Sequence, residues 1–109
     1  MIEIKNTEDA RKLIGENKFV SIVWHKKDCH VCEHFLSDIE TIIDKCPEFK
    51  FASVEYDSFE DDMIFEPIQS PITYIFKDGK RLVCPIGQAP GEEVLKIHNE
   101  IVSGVFKVE

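Results

Sequence analysis

The sequence predicts one α/β domain over residues 1–109, with a mixed central sheet that is built by parallel crossovers and completed by a C-terminal β-hairpin and a helix. Three observations predict this layout. Apolar runs of strand length alternate with segments of helical period, the dipeptide Asp78-Gly79 separates two such runs, and no Pro/Gly/Ser-rich linker divides the chain. The composition, 43% hydrophobic and 31% charged, is that of a compact globular domain.

The first half of the chain shows a helix, a strand and a longer helix, after a candidate strand at the N-terminus. Asn6 or Thr7 can cap a helix that runs to about Asn17. The nearly continuous apolar run Phe19–Trp24 is typical of a strand covered on both faces, so we expect it to be central. In the next segment, apolar residues recur at helical spacing until Pro47: Val31, Phe35, Ile39, Ile42, Ile43 and Cys46.

The second half contains the strongest local signal. Phe49–Tyr56 is predicted to be a strand, and Ser58–Phe65 a short acidic helix or an irregular connection. Ile72–Phe76 and Lys80–Cys84 flank Asp78-Gly79, a dipeptide that adopts the positive φ angles of a tight antiparallel turn. A final amphipathic helix is predicted from residues that would share one face: Val94, Leu95, His98, Ile101 and Val102.

Charge and hydropathy exclude several classes of function. The chain has 13 basic and 21 acidic residues and a net charge of −8, which repels phosphate backbones and anionic lipid headgroups. It has no apolar run long enough to span a membrane, no apolar secretion signal and no Gly-rich phosphate loop. We therefore expect a cytoplasmic protein that binds neither nucleic acid nor membranes and needs no cofactor.

Two of the four cysteines, Cys29 and Cys32, form a C-x-x-C motif. In a reducing compartment this spacing indicates redox chemistry or metal binding rather than a structural disulfide. Cys29 would begin the long helix, where free amides and the helix dipole favour a thiolate. Cys32 lies one turn further on, where it can attack a mixed disulfide formed on Cys29.

Other side chains near the motif are candidate modulators or ligands. Positive charge from Lys27, His30 and the neighbouring Lys26 would lower the pKa of Cys29, whereas Asp28 and Glu33 would raise it. A zinc site is the metal alternative, with the ligands Cys29, Cys32, His34 and either His25 or His30. The remaining cysteines, Cys46 and Cys84, are predicted to be small buried side chains, and His98 a packed or snorkelling one.

The sequence resembles the thioredoxin family over roughly residues 20–102. The resemblance depends on the run Val20–Trp24 followed by Cys29-His30-Val31-Cys32, on Phe51–Asp57, and on Pro71–Gly79. It implies the thioredoxin fold and thiol–disulfide exchange with a disulfide-containing protein or small thiol substrate and a separate reductase. By the resemblance, Cys29 attacks, Cys32 resolves, and Pro71 is a cis-proline that faces them, with the Ser70 backbone pairing to an extended substrate.

The sequence departs from the family pattern at the motif and beneath it. Asp28 replaces a tryptophan, and His30-Val31 replaces Gly-Pro. A buried aspartate and its lysine partner, which accept the proton of the resolving cysteine, correspond to Val23 and Ser53. Deprotonation would then need another base, for which the candidates are His25, His30 and His34. This departure keeps open a second hypothesis, a non-catalytic interaction module on the same fold.

Overall fold

The computed structural model describes residues 1–59, 70–82, 87 and 89–104. Within these residues the chain forms five strands and three α-helices, with short 3-10 turns at Ile43–Lys45 and Tyr56–Ser58. The elements in chain order are β1 Ile2–Glu3, α1 Thr7–Glu16, β2 Phe19–His25, α2 His30–Ile42, β3 Phe49–Glu55, β4 Ile72–Lys77, β5 Lys80–Arg81 and α3 Gly91–Ser103. The predicted mixed α/β fold class is confirmed.

The strands form one mixed sheet in the order β1-β3-β2-β4-β5. Both β1 and β2 run parallel to β3, whereas β4 runs antiparallel to β2 and β5 antiparallel to β4. The strand β2 is central, as predicted, and Val20, Ile22 and Val23 are fully buried in it. Its apolar run is nearly continuous because helices cover both faces of the sheet.

The helices α2 and α3 cover the face of the sheet that leads to the C-x-x-C motif. Phe35 and Ile39 of α2 and Val94 and Ile101 of α3 pack in one cluster with Val23 of β2. On the opposite face, the other alternating set of β2 side chains packs against α1. Since successive side chains of a strand point to opposite faces, only one of the two sets points toward α2 and can meet the motif.

Local signals account for most element boundaries. The Asn6 side chain accepts a hydrogen bond from the Asp9 N–H at 2.8 Å and caps α1, as predicted. Asp78 and Gly79 have φ angles of 52° and 82°, which confirms the turn between β4 and β5. The predicted connection over 60–65 and the predicted strand end at Cys84 lie outside the described residues.

One residue of the long helix was placed on the wrong face. The helical spacing predicts Val31 as the first residue of the apolar stripe of α2, but this side chain is 44% exposed. The buried stripe is Cys32, Phe35, Ile39 and Ile42, in which Cys32 takes the first inward position. Val31 instead presents an apolar surface between the two cysteines.

No helix in the described part of the chain is long and apolar enough to cross a membrane.

Candidate redox site

The two cysteines of the motif form a disulfide at the start of α2, with their Cα atoms 5.2 Å apart. Cys29 is the N-cap residue, and its Sγ accepts a hydrogen bond from the Cys32 N–H at 3.1 Å. The first amides of a helix have no partner within the helix, so a sulfur here meets a backbone donor and the positive end of the helix dipole. Cys29 is half-buried and Cys32 only 1% exposed. The sulfurs therefore differ in access.

The segment before Cys29 is held to the end of β3. The Lys27 N–H donates to Asp57 Oδ2 at 3.0 Å, and Lys27 Nζ lies 3.7 Å from Glu55 Oε1. Asp28 adopts a φ of 54°, in the left-handed region that aspartate tolerates better than most non-glycine residues. A carboxylate therefore stands immediately before Cys29, where the resemblance predicts a tryptophan.

Ser70 and Pro71 lie immediately before β4, and the Ser70 side chain reaches the motif. Their peptide bond is cis, as the resemblance to thioredoxins implies. Ser70 Oγ lies 3.3 Å from Cys32 Sγ. Because a disulfide sulfur carries no hydrogen, the Ser70 hydroxyl donates in this contact. The resemblance implies only a backbone role for Ser70 and does not predict this side-chain contact; the signal in the sequence is a hydroxyl residue directly before the proline.

The strands beneath the motif lack an ionisable pair at the expected register. Val23 of β2 lies opposite Ser53 of β3, as their correspondence to the aspartate and lysine of thioredoxins implies. Val23 is fully buried and Ser53 half-buried. Neither side chain can take a proton from Cys32 at neutral pH. The departure predicted from the sequence therefore lies within the folded core.

Two of the three candidate histidines face solvent. The His30 ring is fully exposed, with Nδ1 3.8 Å from Glu33 Oε2. His34 is also exposed and lies 3.8 Å from Asp38 on its own helix. His25, at the end of β2, lines a cleft of about 250 Å³ whose other residues include Ser53 and Glu55 on β3 and Leu36 and Glu40 on α2.

These placements bear on the zinc alternative. No three His, Cys, Asp or Glu side chains among the described residues come close enough together to hold a metal ion. His30 and His34 contact carboxylates on their own helix rather than the sulfurs. The structure therefore brings together the two cysteines and Ser70, but not the proposed imidazole ligands.

His98 of α3 is a buried core residue, which confirms the packed interpretation. Its Nδ1 lies 2.7 Å from the Val94 carbonyl oxygen, and its Nε2 3.0 Å from Ser21 Oγ. Since a carbonyl only accepts, Nδ1 carries the proton and Nε2 accepts from the Ser21 hydroxyl. Burial lowers the pKa of His98, while the hydrogen bond to Val94 opposes this shift.

Cys46 is also buried, as predicted, at the end of the 3-10 turn that follows α2. Its thiol donates to Asn99 Oδ1 at 3.7 Å. Burial, followed by the negative charge of Glu48, raises the pKa of Cys46 to about 11. Cys84, which is also predicted to be a small buried side chain, lies outside the described residues.

Comparison with known proteins finds the relationship in structure and not in sequence. No protein-family profile and no curated protein sequence matches the chain. Mitochondrial thioredoxin 3 of Saccharomyces cerevisiae in its oxidised form superposes with a TM-score of 0.80 and 21% identity, over 92% of this chain and 94% of that one. Thioredoxin of Trypanosoma brucei brucei gives a TM-score of 0.79 and 20% identity, over 94% and 91% of the two chains. Fasciola hepatica thioredoxin gives 0.74 and 24%, over 92% and 98%.

These similarities extend along more than nine-tenths of the chain. They also account for the mixed five-stranded sheet and the helices that flank it. The protein has the thioredoxin fold.

Proposed function

We propose that the protein is a cytoplasmic thiol–disulfide oxidoreductase that exchanges disulfides through Cys29 and Cys32. The observation that carries the proposal is their disulfide at the start of α2, in which one cysteine is half-buried and the other is enclosed. A pair of this kind cycles between two thiols and one disulfide. The substrate is a disulfide-containing protein or a small disulfide, and a separate reductase recycles the pair.

The reaction in the reducing direction has two steps. The Cys29 thiolate attacks a substrate disulfide, forms a mixed disulfide and releases one substrate sulfur as a thiolate. Cys32 then loses its proton and attacks Cys29 Sγ, so that the Cys29–Cys32 bond forms and the second substrate sulfur leaves. The substrate gains two electrons, and the pair must be reduced before the next cycle.

Two features of the described site support these roles. The Cys32 N–H at 3.1 Å from Cys29 Sγ is a donor that favours a Cys29 thiolate over the thiol. The Ser70 side chain contacts Cys32 just before β4, and the resemblance implies that the Ser70 backbone there pairs with an extended substrate. The exposed Val31 offers an apolar contact beside the reacting sulfurs.

The first experiment measures the reduction potential of the purified protein in a dithiothreitol or glutathione redox series. Thiols are located by mass spectrometry, and zinc is assayed beforehand. We expect a reversible two-electron transition confined to Cys29 and Cys32. A midpoint of about −270 mV would indicate a reductant, and a midpoint of about −200 mV or above would indicate a more oxidising exchanger.

Single-cysteine variants provide the controls. Cys29→Ser should lower exchange to the uncatalysed background, because a serine hydroxyl does not form mixed disulfides. Cys32→Ser should instead accumulate them on Cys29. Full exchange by Cys29→Ser, the lack of any redox transition, or two thiols masked by bound zinc would each contradict the proposal.

A second candidate is a non-catalytic interaction module, which is favoured by the Val23–Ser53 register pair in place of an ionisable one. The same feature predicts that, if the protein is active, it reduces insulin disulfides more slowly than a thioredoxin. A pair that never forms a disulfide in solution would favour the interaction module. Insulin turnover equal to that of a thioredoxin would show that the missing pair is immaterial.

A further inference from the structure

The structure brings the Ser70 hydroxyl to the enclosed sulfur of Cys32. Its Oγ lies 3.3 Å from Cys32 Sγ and donates to it in the disulfide form. A hydrogen bond donated to sulfur favours the thiolate over the thiol, since the thiolate is the better acceptor. The Ser70 hydroxyl therefore donates to the sulfur that must become a thiolate in the resolving step.

The sulfur of Cys32 is enclosed, so water has little access to its thiolate. The residue is 1% exposed, and a donor within the fold must replace the hydration that a thiolate would have in solvent. The strand positions Val23 and Ser53, opposite each other in the sheet, supply no charge. Because only the thiolate attacks a mixed disulfide, a donor to Cys32 Sγ has its largest effect at this step.

The charged side chains near this turn of α2 make their contacts elsewhere. His30 and Glu33 face each other at 3.8 Å with their side chains 100% and 73% exposed. His25, at the end of β2, and Glu40, on α2, line the same cleft. Within the described residues, none of these four groups has a hydrogen bond or ion pair with Cys32 Sγ.

We propose that the Ser70 hydroxyl is a catalytic group for the resolving step, in which it donates a hydrogen bond to the Cys32 sulfur as that sulfur becomes the attacking thiolate. Cys32 gives its proton to solvent and Ser70 keeps its own. The Cys29–Cys32 bond forms, the bond from Cys29 to the substrate sulfur breaks, and that sulfur leaves as a thiolate. The inference rests on the proposed function and adds the group that acts where the ionisable pair is missing.

The test separates attack from resolution in one experiment. The fully reduced protein is mixed with a substoichiometric amount of the chromogenic disulfide dithiobis(nitrobenzoate). The first coloured thiolate leaves when Cys29 attacks and the second when Cys32 resolves the mixed disulfide. The Cys32→Ser variant identifies the second phase by losing it.

Ser70→Thr and Ser70→Val form the matched pair, because the two side chains have nearly the same shape and only threonine carries a hydroxyl. We expect the second phase of Ser70→Val to be about tenfold slower at neutral pH, with its pH midpoint shifted upward. Ser70→Thr should stay within about threefold of the wild type. In both variants the first phase should change less than the second.

Ser70→Ala guards against an effect of the added bulk and should show the same slow second phase as Ser70→Val. Equal second phases and pH profiles with and without the hydroxyl would overturn the inference. Equal slowing of both phases would also overturn it, since that result indicates restricted access. If the wild-type protein shows only the first phase, the proposed function itself is wrong, so the two failures are distinguishable.

Discussion

The two ends of α2 hold cysteines in opposite surroundings. At the N-terminal end, both sulfurs accept hydrogen bonds: Cys29 from the Cys32 N–H at 3.1 Å, and Cys32 from Ser70 at 3.3 Å. Beyond the C-terminal end, the Cys46 thiol donates to Asn99 at 3.7 Å. Sulfur is thus a hydrogen-bond acceptor at the start of α2 and a donor after the 3-10 turn that follows the helix.

The difference shows how one side chain becomes reactive or silent within a small fold. A group that donates a hydrogen bond to sulfur stabilises the thiolate, whereas a group that accepts a hydrogen bond from sulfur stabilises the thiol. The helix dipole adds to this, because its positive end lies at Cys29 and its negative end toward Cys46. At Cys46, burial and then Glu48 raise the pKa to about 11.

The largest expected difference is in alkylation of the reduced protein. At pH 8 a thiol with a pKa of about 11 is ionised in about one molecule in a thousand, and burial further limits access. A cysteine at a helix N-terminus, with a backbone donor to its sulfur, ionises more readily than a buried one. The thiolate of a high-pKa thiol is the stronger nucleophile, which offsets part of the difference in ionisation, whereas the burial of Cys46 enlarges it. We therefore expect iodoacetamide to modify Cys29 at least about a hundredfold faster than Cys46, as measured by peptide mass spectrometry.

Unfolding in guanidinium provides the control, since it should bring both rates to similar values. The Glu48→Gln variant should speed the modification of Cys46 only a few-fold, because Glu48 is the smaller cause of the shift, after burial. Equal rates at Cys46 and Cys29 in the native protein would contradict the comparison.

A second test compares the Ser21 hydroxyl with the Ser70 hydroxyl. Ser21 and His98 satisfy each other in the core, so His98→Gln or Ser21→Ala leaves a buried polar group without its partner. We expect the free energy of unfolding of the oxidised protein, measured in urea, to fall by about 3 kcal/mol in His98→Gln and by about 2 kcal/mol in Ser21→Ala. Ser70→Ala should cost less than about 1 kcal/mol, since Ser70 is only half-buried.

The resolving rate should show the opposite pattern. It should be unchanged by Ser21→Ala at a temperature where that variant is folded, and slowed by Ser70→Ala. A large loss of stability in Ser70→Ala without a kinetic effect would assign Ser70 a structural role like that of Ser21.

The pH dependence of stability follows from His98. Its pKa in the folded protein is lowered by burial, so the unfolded chain binds the proton more tightly. The contribution to stability is complete above the ordinary histidine pKa of about 6.5 and is lost as the pH falls through the lowered folded value. Between these values the free energy of unfolding should fall by up to about 1.4 kcal/mol per pH unit.

Urea titrations between about pH 5 and 7.5 measure this slope. The His98→Gln variant, which has no ionisable group at this position, should be less stable and show a flatter profile. If the wild type and the variant have parallel profiles over this range, His98 is not the group responsible.

The sequence predicted the framework of the fold because its local signals agree with the tertiary structure. Asn6 caps α1, the apolar run of β2 is central, and Asp78-Gly79 makes the turn. These features depend on neighbours in sequence or on simple burial. The placement of Val31 was wrong because the inward position at the first turn belongs to Cys32.

The site was predictable only in part, for a physical reason. The C-x-x-C spacing is local, so Cys29 and Cys32 could be assigned from the sequence as a candidate pair. The contact of Ser70 with Cys32 joins residues 38 positions apart and depends on the side-chain geometry before β4. Periodicity places a residue on a face but does not give such a distance.

The smallest expected effect concerns Asp28, at the reactive end of the comparison. Its φ of 54° is tolerated by asparagine, so Asp28→Asn removes the charge next to Cys29 and keeps the backbone. We expect the free energy of unfolding to change by less than about 0.5 kcal/mol and attack by Cys29 to speed up about two- to threefold at low ionic strength. The first phase of the chromogenic assay measures this rate.

Asp28→Ala provides the control, because it removes the same charge but adopts this φ less readily, so it should lower the free energy of unfolding by about 1 kcal/mol. Equal rates in Asp28→Asn and the wild type would show that solvent screens this carboxylate, and that the backbone N–H and the helix dipole govern the reactive end of α2.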